Sequence, residues 1–334
     1  ENTPTSLLPT KTATTFPPTL TVTSTLASEP PPTTAPSATP KLEPPPIPDF
    51  VTYDVEQTFK ISNEGPSPVS TLRLTTARIQ SIEPYQEVHS FEILPPLEYK
   101  EKSDELNNQF VEFEFLNIKP GEERLFTIKY EVTAYREQAD TGVCEGELIP
   151  GFTQSEKHIE SDAEQIILLS QQLSAGAENV CQQVRAFYDF VAETLEYVPD
   201  CTREDYGALK ALEYQSGDCT EFSDLLIALT RSAGIPARFI EGVVPGEGFE
   251  KHDWAQVYLP GSGWVTMEPT WGRTDGLREN YFAGTTPDHI ILTTGRNLTA
   301  LNNKHYWTSR FWWDDNFSQP LVKIESDWDV TAKE

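Results

Sequence analysis

Three residues have the types that nucleophilic acyl chemistry requires, namely Cys219, His252 and Glu268. A thiol needs a base to take its proton, and an imidazole serves best as that base when a carboxylate orients it. Cys219 directly follows Asp218, and Glu221 stands three residues after Asp218, which is the pattern of a helix N-cap. A helix start favours a thiolate, so the sequence predicts a lowered pKa for Cys219.

The histidine and the glutamate lie at the two ends of a predicted β-hairpin. Residues 260–263 read Pro-Gly-Ser-Gly, a turn between two β-favouring runs, with His252 before it and Glu268 after it. A short loop there brings the strand ends to about the same level, so that the carboxylate can hold the imidazole. Asp253 is the weaker partner, because side chains alternate along a strand and Asp253 points to the opposite face.

Helical periodicity surrounds these residues from about residue 138 onward. The cysteine helix is predicted to end near Gly234 and Pro236. Upstream, Ser161 with Glu164 has the spacing of a capping box, which predicts another helix start. Residues 180–195 repeat apolar side chains at helical spacing and predict a helix with one buried face.

Residues 49–137 have a different period. Apolar and polar residues alternate over short runs that are separated by turn signals such as Lys-Pro-Gly-Glu-Glu at 119–123. This pattern predicts an antiparallel, all-β immunoglobulin-like sandwich. His89 is isolated there and is interpreted as a surface histidine.

The first 48 residues are mostly Pro, Thr and Ser. Such a segment has too few apolar residues to offset the entropy of ordering it. Two interpretations stay open, an extended stalk and a disordered tail without a role. The sequence thus predicts a stalk at 1–48, a sandwich at 49–137 and a catalytic domain at 138–334.

Charge and composition exclude some partners. The 334 residues carry a formal net charge of -27, which disfavours nucleic acid and anionic membrane surfaces because both repel a polyanion. No apolar run approaches the roughly 18 residues of a membrane span. The chain begins at Glu1, so we expect a leader or surface anchor upstream of it, and with the stalk this favours an extracytoplasmic protein.

The four cysteines are Cys144, Cys181, Cys201 and Cys219. None of them has the close spacing of a zinc knuckle, and no cofactor or metal site is predicted. The run Trp-Trp-Asp-Asp-Asn at 312–316 has carboxylates without EF-hand spacing. Cys181 lies one residue off its helix stripe and is interpreted as a half-buried thiol. Cys144 and Cys201 lie in predicted loops and are the expected disulfide, which leaves Cys219 free.

Two blocks of sequence resemble the transglutaminase-like superfamily. They read GDCTEFSDLLIALTRSAGIPAR at 217–238 and HDWAQVYLPGSGWVTMEPTWG at 252–272. The resemblance covers about 155–300. It implies a papain-like α+β fold in which a helix that carries the cysteine packs on an antiparallel sheet that carries a histidine and an aspartate.

The resemblance also assigns roles within the site. It implies that Cys219 is the nucleophile, that His252 is the base and that Glu268 stands where the family has aspartate. Glutamate is one methylene longer, so this position departs from the family pattern. Family members complete the oxyanion site with an aromatic or polar side chain upstream of the cysteine, and Tyr197 is the candidate here, with a core tyrosine as the alternative. Trp254 and Trp264 are expected to wall the cleft or the sheet.

The expected activity is that of a cysteine-dependent amide hydrolase or acyl transferase that acts on protein or peptide amides through a thioester. Water as the acceptor gives a protease or amidase, which we favour, and a lysine amine gives a protein cross-linker. A third reading is a surface binding or adhesion module that kept the fold and lost the chemistry. Glu268 favours this reading, and the intact Cys219 and His252 disfavour it.

Overall fold

The computed structural model describes residues 47–142, 144–199, 205–246 and 250–333. The predicted stalk at 1–48 lies outside these ranges except for its last two residues, and Cys201 also lies outside them. Within the described ranges, no helix combines the length and the apolar character that crossing a membrane requires.

The first part of the chain is made of strands, as its alternating pattern predicts. These strands are β1 Phe50–Asn63, β2 Val69–Arg78, β3 Gln86–Leu94, β4 Tyr99–Ser103, β5 Gln109–Ile118, β6 Glu123–Tyr135 and β7 Glu137–Gln138.

The rest of the chain mixes helices and strands. Its elements are α1 Glu164–Leu173, α2 Val180–Thr194, β8 Glu196–Tyr197, α3 Ala208–Tyr214, β9 Ser216–Gly217, α4 Cys219–Ser232, β10 Ala237–Val243, β11 Lys251–Leu259, β12 Gly263–Met267, α5 Pro269–Gly272, α6 Arg278–Tyr281, β13 Gly284–Thr285, β14 Ile290–Thr294, β15 Trp307–Trp312 and β16 Val322–Ala332. The fold is therefore α+β.

Two antiparallel four-stranded sheets, ordered β16-β1-β6-β3 and β15-β2-β5-β4, enclose one hydrophobic core. Phe59 of β1 and Phe126 of β6 stack at its centre, with ring centroids 5.1 Å apart. The sequence placed residues 307–332 with the catalytic domain, but β15 pairs with β2 and β16 pairs with β1. The end of the chain thus returns to the two sheets of the first part.

A third antiparallel sheet, ordered β12-β11-β10-β14, supports the candidate site. Helix α4 packs against β10 and β11, and apolar side chains of α4 such as Phe222 and Leu225 share a core with Phe239 and Val257. The predicted hairpin is present, because β11 and β12 are antiparallel neighbours with Leu259 opposite Gly263.

The disulfide joins Cys144 to Cys181, with Cα atoms 6.0 Å apart. The expected Cys144–Cys201 bridge is therefore wrong, and so is the interpretation of Cys181 as a free thiol. Cys181 is the second residue of α2 and is buried. The disulfide therefore fastens the segment before α1, which contains Cys144, to the start of α2. Among the described cysteines, Cys219 is the free one, as predicted.

Candidate active site

Cys219 is the first residue of α4, where its N–H precedes the hydrogen-bond ladder of the helix. The predicted cap is present: the Asp218 carboxylate accepts from the Thr220 N–H, and the Glu221 side chain accepts from the Asp218 N–H. The Thr220 hydroxyl donates to Asp253 Oδ2 at 2.6 Å. The main chain of Asp253 also hydrogen-bonds the Cys219 sulfur. The nucleophile candidate thus lies against the peptide that follows His252.

His252 and Glu268 form a direct pair. The Nε2 atom of His252 lies 2.5 Å from Glu268 Oε2, and both side chains are buried. The second oxygen, Oε1, accepts the backbone N–H groups of Thr270 at 2.7 Å and Trp271 at 3.1 Å. Glu268 therefore caps α5 with one oxygen and holds the imidazole with the other, and the length of the glutamate side chain serves both contacts.

Glu268 is held in its ionised form. Burial alone would raise its pKa, but the neighbouring His252 and His289 outweigh this effect and hold the pKa below its usual range. The two N–H groups at the start of α5 favour the same form. The carboxylate can therefore act as a fixed acceptor for the proton on His252 Nε2.

The thiol of Cys219 departs from expectation. Burial, followed by the negative charges of Asp253 and Asp218, raises its pKa well above the usual value. The expected lowering is wrong, because these effects exceed the stabilisation that a helix start and the Asp253 N–H provide. The resting group is therefore a thiol, which needs a base during attack rather than a preformed ion pair.

Sequence reasoning missed two aromatic neighbours of His252. The ring of Trp271 stacks on His252, with centroids 5.1 Å apart and planes 22° apart. His289 meets the same imidazole edge to face at 5.6 Å. Trp271 stands three residues after Glu268 in the second quoted block, which was an available signal, whereas nothing around His289 in the sequence marked it.

His289 is a buried imidazole that lies between two carboxylates. Its Nδ1 lies 2.7 Å from Asp288 Oδ1, and its Nε2 lies 3.6 Å from Glu268 Oε2. Burial lowers its pKa, but the hydrogen bond to Asp288 and the negative charges of Asp288 and Glu268 raise it more, to about 9. A positive charge therefore lies beside the carboxylate that orients His252.

The other predicted site residues are placed differently. Tyr197 is half-buried on β8 and pairs with Gly217 of β9. Gly217 lies two residues before Cys219 in the sequence. Trp254 is buried, with its ring 4.9 Å from the ring of His289. Trp264 lies at the far end of the hairpin, where the Arg238 guanidinium covers its ring at 4.2 Å.

A cavity of about 360 Å³ opens at Cys219. Its lining includes Asp253, His305 and Trp307, with Lys251 and Lys304 contributing cations. Trp254 and Trp264, like His252, are not among its lining residues. Both tryptophans lie on the β11–β12 hairpin, in the sheet, which is the other place expected for them. The cavity is a concave, mixed-charge space that could receive a polar substrate group next to the sulfur.

A buried ionic network supports one side of this cavity. Arg296 donates to Asp224 of α4 at 2.9 Å and to Asp205 at 2.6 Å. His305 bridges Asp205 at 2.9 Å and Glu241 of β10 at 2.8 Å. The network ties α4 and β10 to the segment after β14, and two of its members, Asp205 and His305, line the cavity.

Among the described residues, two groups of three side chains have possible cation-ligand atoms within 4.8 Å of one another. The first group is His252, Glu268 and His289, and the second is Glu241, Asp253 and His305. In the first group, His252 and Glu268 already share a short hydrogen bond. In the second, His305 is bonded to Glu241. We interpret both groups as hydrogen-bond networks.

A cysteine at a helix start, beside a hairpin that carries a histidine–carboxylate pair, is the arrangement of papain-like thiol enzymes. Residues 168–269 match the model of the transglutaminase-like superfamily, and this segment is a transglutaminase-like domain. The matched residues contain Cys219, His252 and Glu268.

Two curated proteins have similar segments. The uncharacterized protein YebA of Bacillus subtilis is 32% identical over 148 residues, which is 37% of this chain and 20% of YebA. A protein-glutamine gamma-glutamyltransferase of Pseudomonas aeruginosa is 31% identical over 68 residues, 17% of this chain and 10% of that protein. The chain thus spans a fifth or less of the length of these relatives.

A solved structure was found that is similar over most of the chain. It is from Cytophaga hutchinsonii, is provisionally named a cysteine protease, and has a TM-score of 0.60 at 17% identity. The match covers 86% of this chain and 92% of that one. At this identity the similarity shows a common fold, and this fold includes the sheets that precede the transglutaminase-like domain.

Proposed function

We propose that the chain is a cysteine-dependent amide hydrolase or acyl transferase that acts on protein or peptide amides. The observation that carries this proposal is the buried His252–Glu268 pair, which adjoins the peptide that contacts the Cys219 sulfur. A base held by an ionised carboxylate beside a free thiol is the minimum that thiol acyl transfer requires.

The reaction begins from the neutral thiol. His252 takes the proton of Cys219 as the sulfur attacks the amide carbonyl, and Glu268 stabilises the imidazolium that forms. The imidazolium then donates this proton to the departing amine, so that the C–N bond breaks and a thioester remains. Attack by water releases the acid and restores the thiol, while attack by an amine forms a new amide.

The oxyanion needs two donors. The N–H of Cys219 lies ahead of the α4 ladder and is available by position. We propose Tyr197 as the second donor, because the β8–β9 pairing brings its backbone opposite Gly217. The ring of Tyr197 also approaches that of Phe222 in α4, with centroids 6.3 Å apart, which is compatible with the alternative of a supporting core tyrosine.

Hydrolysis is the outcome that we favour. Lys251, Lys304 and Asp253 line the cavity at Cys219 together with the aromatic Tyr306 and Trp307, and the three charged groups can hold water beside a thioester. Cross-linking is the second candidate, supported by the similar segment in the Pseudomonas aeruginosa glutamyltransferase. Mass spectrometry of peptide amides incubated with and without an added primary amine separates the two, because hydrolysis adds water and transfer adds the amine.

The remaining alternative is a binding module without chemistry. Its argument was the glutamate at the aspartate position, and the double role of Glu268 as α5 cap and imidazole partner weakens this argument. If no amide is turned over in the incubation with or without amine, the enzymatic proposal is wrong and the binding module is favoured.

We further propose an extracytoplasmic location and an immunoglobulin-like first part. The Cys144–Cys181 disulfide supports the location, because disulfides persist mainly in oxidising compartments. The neighbours β2-β5-β4 in one sheet and β6-β3 in the other support the sandwich, since they correspond to the B-E-D and F-C neighbours of immunoglobulin domains.

A further inference from the structure

His289 occupies a closed aromatic box. Its ring meets Trp271 at 4.7 Å and Trp254 at 4.9 Å, both edge to face, and Tyr281 at 6.0 Å. Only 5% of the residue is exposed, the same fraction as for His252, and neither histidine is among the residues that line the cavity at Cys219. His289 contacts Glu268 and His252, so its effect on the reaction passes through these two side chains.

The two ring nitrogens of His289 have different surroundings. Nδ1 lies 2.7 Å from Asp288 Oδ1 and 3.0 Å from the Thr285 hydroxyl. Nε2 is buried and makes no hydrogen bond within the described residues, yet it lies 3.6 Å from Glu268 Oε2. That oxygen is the one that holds His252, so both imidazoles approach one carboxylate oxygen.

We propose that His289, anchored by Asp288, is a positioning residue that shares the Glu268 carboxylate with His252. The inference rests on the proposed function, because it assumes that His252 is the base. In physical terms, the negative charge of Glu268 is divided between the two imidazoles. With His289 protonated, part of the field of Glu268 is already neutralised, so the carboxylate acts on its second imidazole neighbour less strongly than it would alone.

The charged and titratable groups that face His289 all enter this balance. They are Asp288 before it, Glu268 at the α5 cap, His252 on β11 and Tyr281 on α6. The Tyr281 hydroxyl is neutral at physiological pH, since burial raises its pKa. The cation of His289 thus lies between two carboxylates, and its loss leaves the charge of Glu268 to act on His252 without this compensation.

His289→Gln tests this division of charge, with His89→Gln on the sandwich as the matched control. Removing the cation should let His252 keep its proton to higher pH, by roughly one to two pH units at the 5.6 Å ring separation. The acid limb of the kcat/KM profile should move up by the same amount. At a pH below the limb, kcat should fall roughly tenfold for each unit, while KM stays within about twofold because His289 acts through the buried Glu268 carboxylate.

NMR of the imidazole carbons gives a readout that does not depend on turnover. The chain has five histidines, so single substitutions assign every signal. An upward shift of the His252 titration in His289→Gln, absent in His89→Gln, supports the proposal. A folded His289→Gln protein with an unchanged His252 titration overturns it.

Two further results keep the proposal separable from folding and from the proposed function. If His289→Gln does not fold, nitrogen NMR of the wild-type protein decides, because His289 must be protonated on both nitrogens at pH 7, and a neutral ring overturns the proposal. If wild-type protein turns over no amide while the His252 titration shifts as expected, the shared carboxylate stands and the proposed function is the part that fails.

Discussion

The Thr220 hydroxyl donates a hydrogen bond of 2.6 Å to Asp253 Oδ2, and these two residues directly follow Cys219 and His252 in the sequence. The bond joins the start of α4 to the start of β11 without engaging either reacting side chain. Because Asp253 points away from the His252 face, the contact can align the nucleophile and the base without contacting the imidazole. For Asp253, interpreted from sequence as the weaker carboxylate partner of His252, we therefore propose an aligning role through Thr220.

Thr220→Val should lower activity without unfolding the protein. Valine keeps the shape of threonine but leaves Asp253 Oδ2 without its donor, at a cost of about 1–3 kcal/mol in the free energy of unfolding. We expect kcat to fall more than KM rises, because the loss is one of alignment. Thr230→Val is the matched control, since the Thr230 hydroxyl bonds only back to Leu226 within the same helix. Equal kinetic effects of the two substitutions would contradict an aligning role.

Asp253→Asn should change how stability depends on pH. Burial raises the pKa of Asp253 to about 6, whereas an unfolded aspartate titrates near 3.9. Between about pH 4 and 6 the folded state therefore binds more protons than the unfolded state, so this residue makes the protein less stable as pH rises. The variant should gain stability relative to wild type over that interval, by at most about 3 kcal/mol. Urea midpoints at pH 4 and pH 7 measure this, and a pH-independent difference would show that Asp253 is ionised throughout.

Glu268→Gln should lower kcat by roughly 10²- to 10⁴-fold while the protein stays folded. The amide cannot stabilise an imidazolium, and its NH₂ group cannot accept the α5 N–H groups if its oxygen faces His252. Steady-state kinetics with a thermal melt would check both parts.

Glu268→Asp is the sharper substitution at this position. Aspartate is one methylene shorter, so it cannot cap Thr270 and Trp271 and also reach His252 Nε2. We expect a loss of activity, although the change restores the residue of the family pattern. A gain in kcat/KM would mean that the site merely tolerates glutamate.

Reduction of the Cys144–Cys181 disulfide should lower thermal stability. The disulfide closes a loop between positions 37 residues apart and so restricts the unfolded chain. This restriction raises the free energy of unfolding by roughly 2–4 kcal/mol. Cys144→Ser with Cys181→Ser should therefore melt earlier than wild type under non-reducing conditions and match reduced wild type. Peptide mapping without reductant checks the pairing, and a Cys144–Cys201 peptide would refute it.

Local signals allowed some elements to be predicted from the sequence and not others. The spacing of Asp218 and Glu221 predicted a capping box, which is present, but the same spacing at Ser161 and Glu164 did not form one. There the helix starts at Glu164 with Ala163 at its cap position, because a turn from Glu160 to Ala163 intervenes. A pattern of two residues does not specify the path of the chain before it.

The site shows the same limit. The hairpin brought His252 and Glu268 together as predicted, since register within a hairpin is local. His289 directly precedes β14 and contacts His252 and Glu268 only in the folded chain. No periodic pattern in the sequence indicates that these residues lie close together. The pKa of Cys219 was also mispredicted, because it depends on burial and on Asp253, which is distant in sequence and adjacent only in the fold.

The central claim is that Cys219 forms a thioester with an amide substrate. Its most direct test is intact-protein mass spectrometry after rapid acid quench of the protein mixed with peptide amides, followed by peptide mapping. We predict an acyl adduct on Cys219 that hydroxylamine removes and that is absent from Cys219→Ala, which should remain folded and show no turnover. Turnover that persists in Cys219→Ala, or an adduct that maps to another residue, would contradict the account.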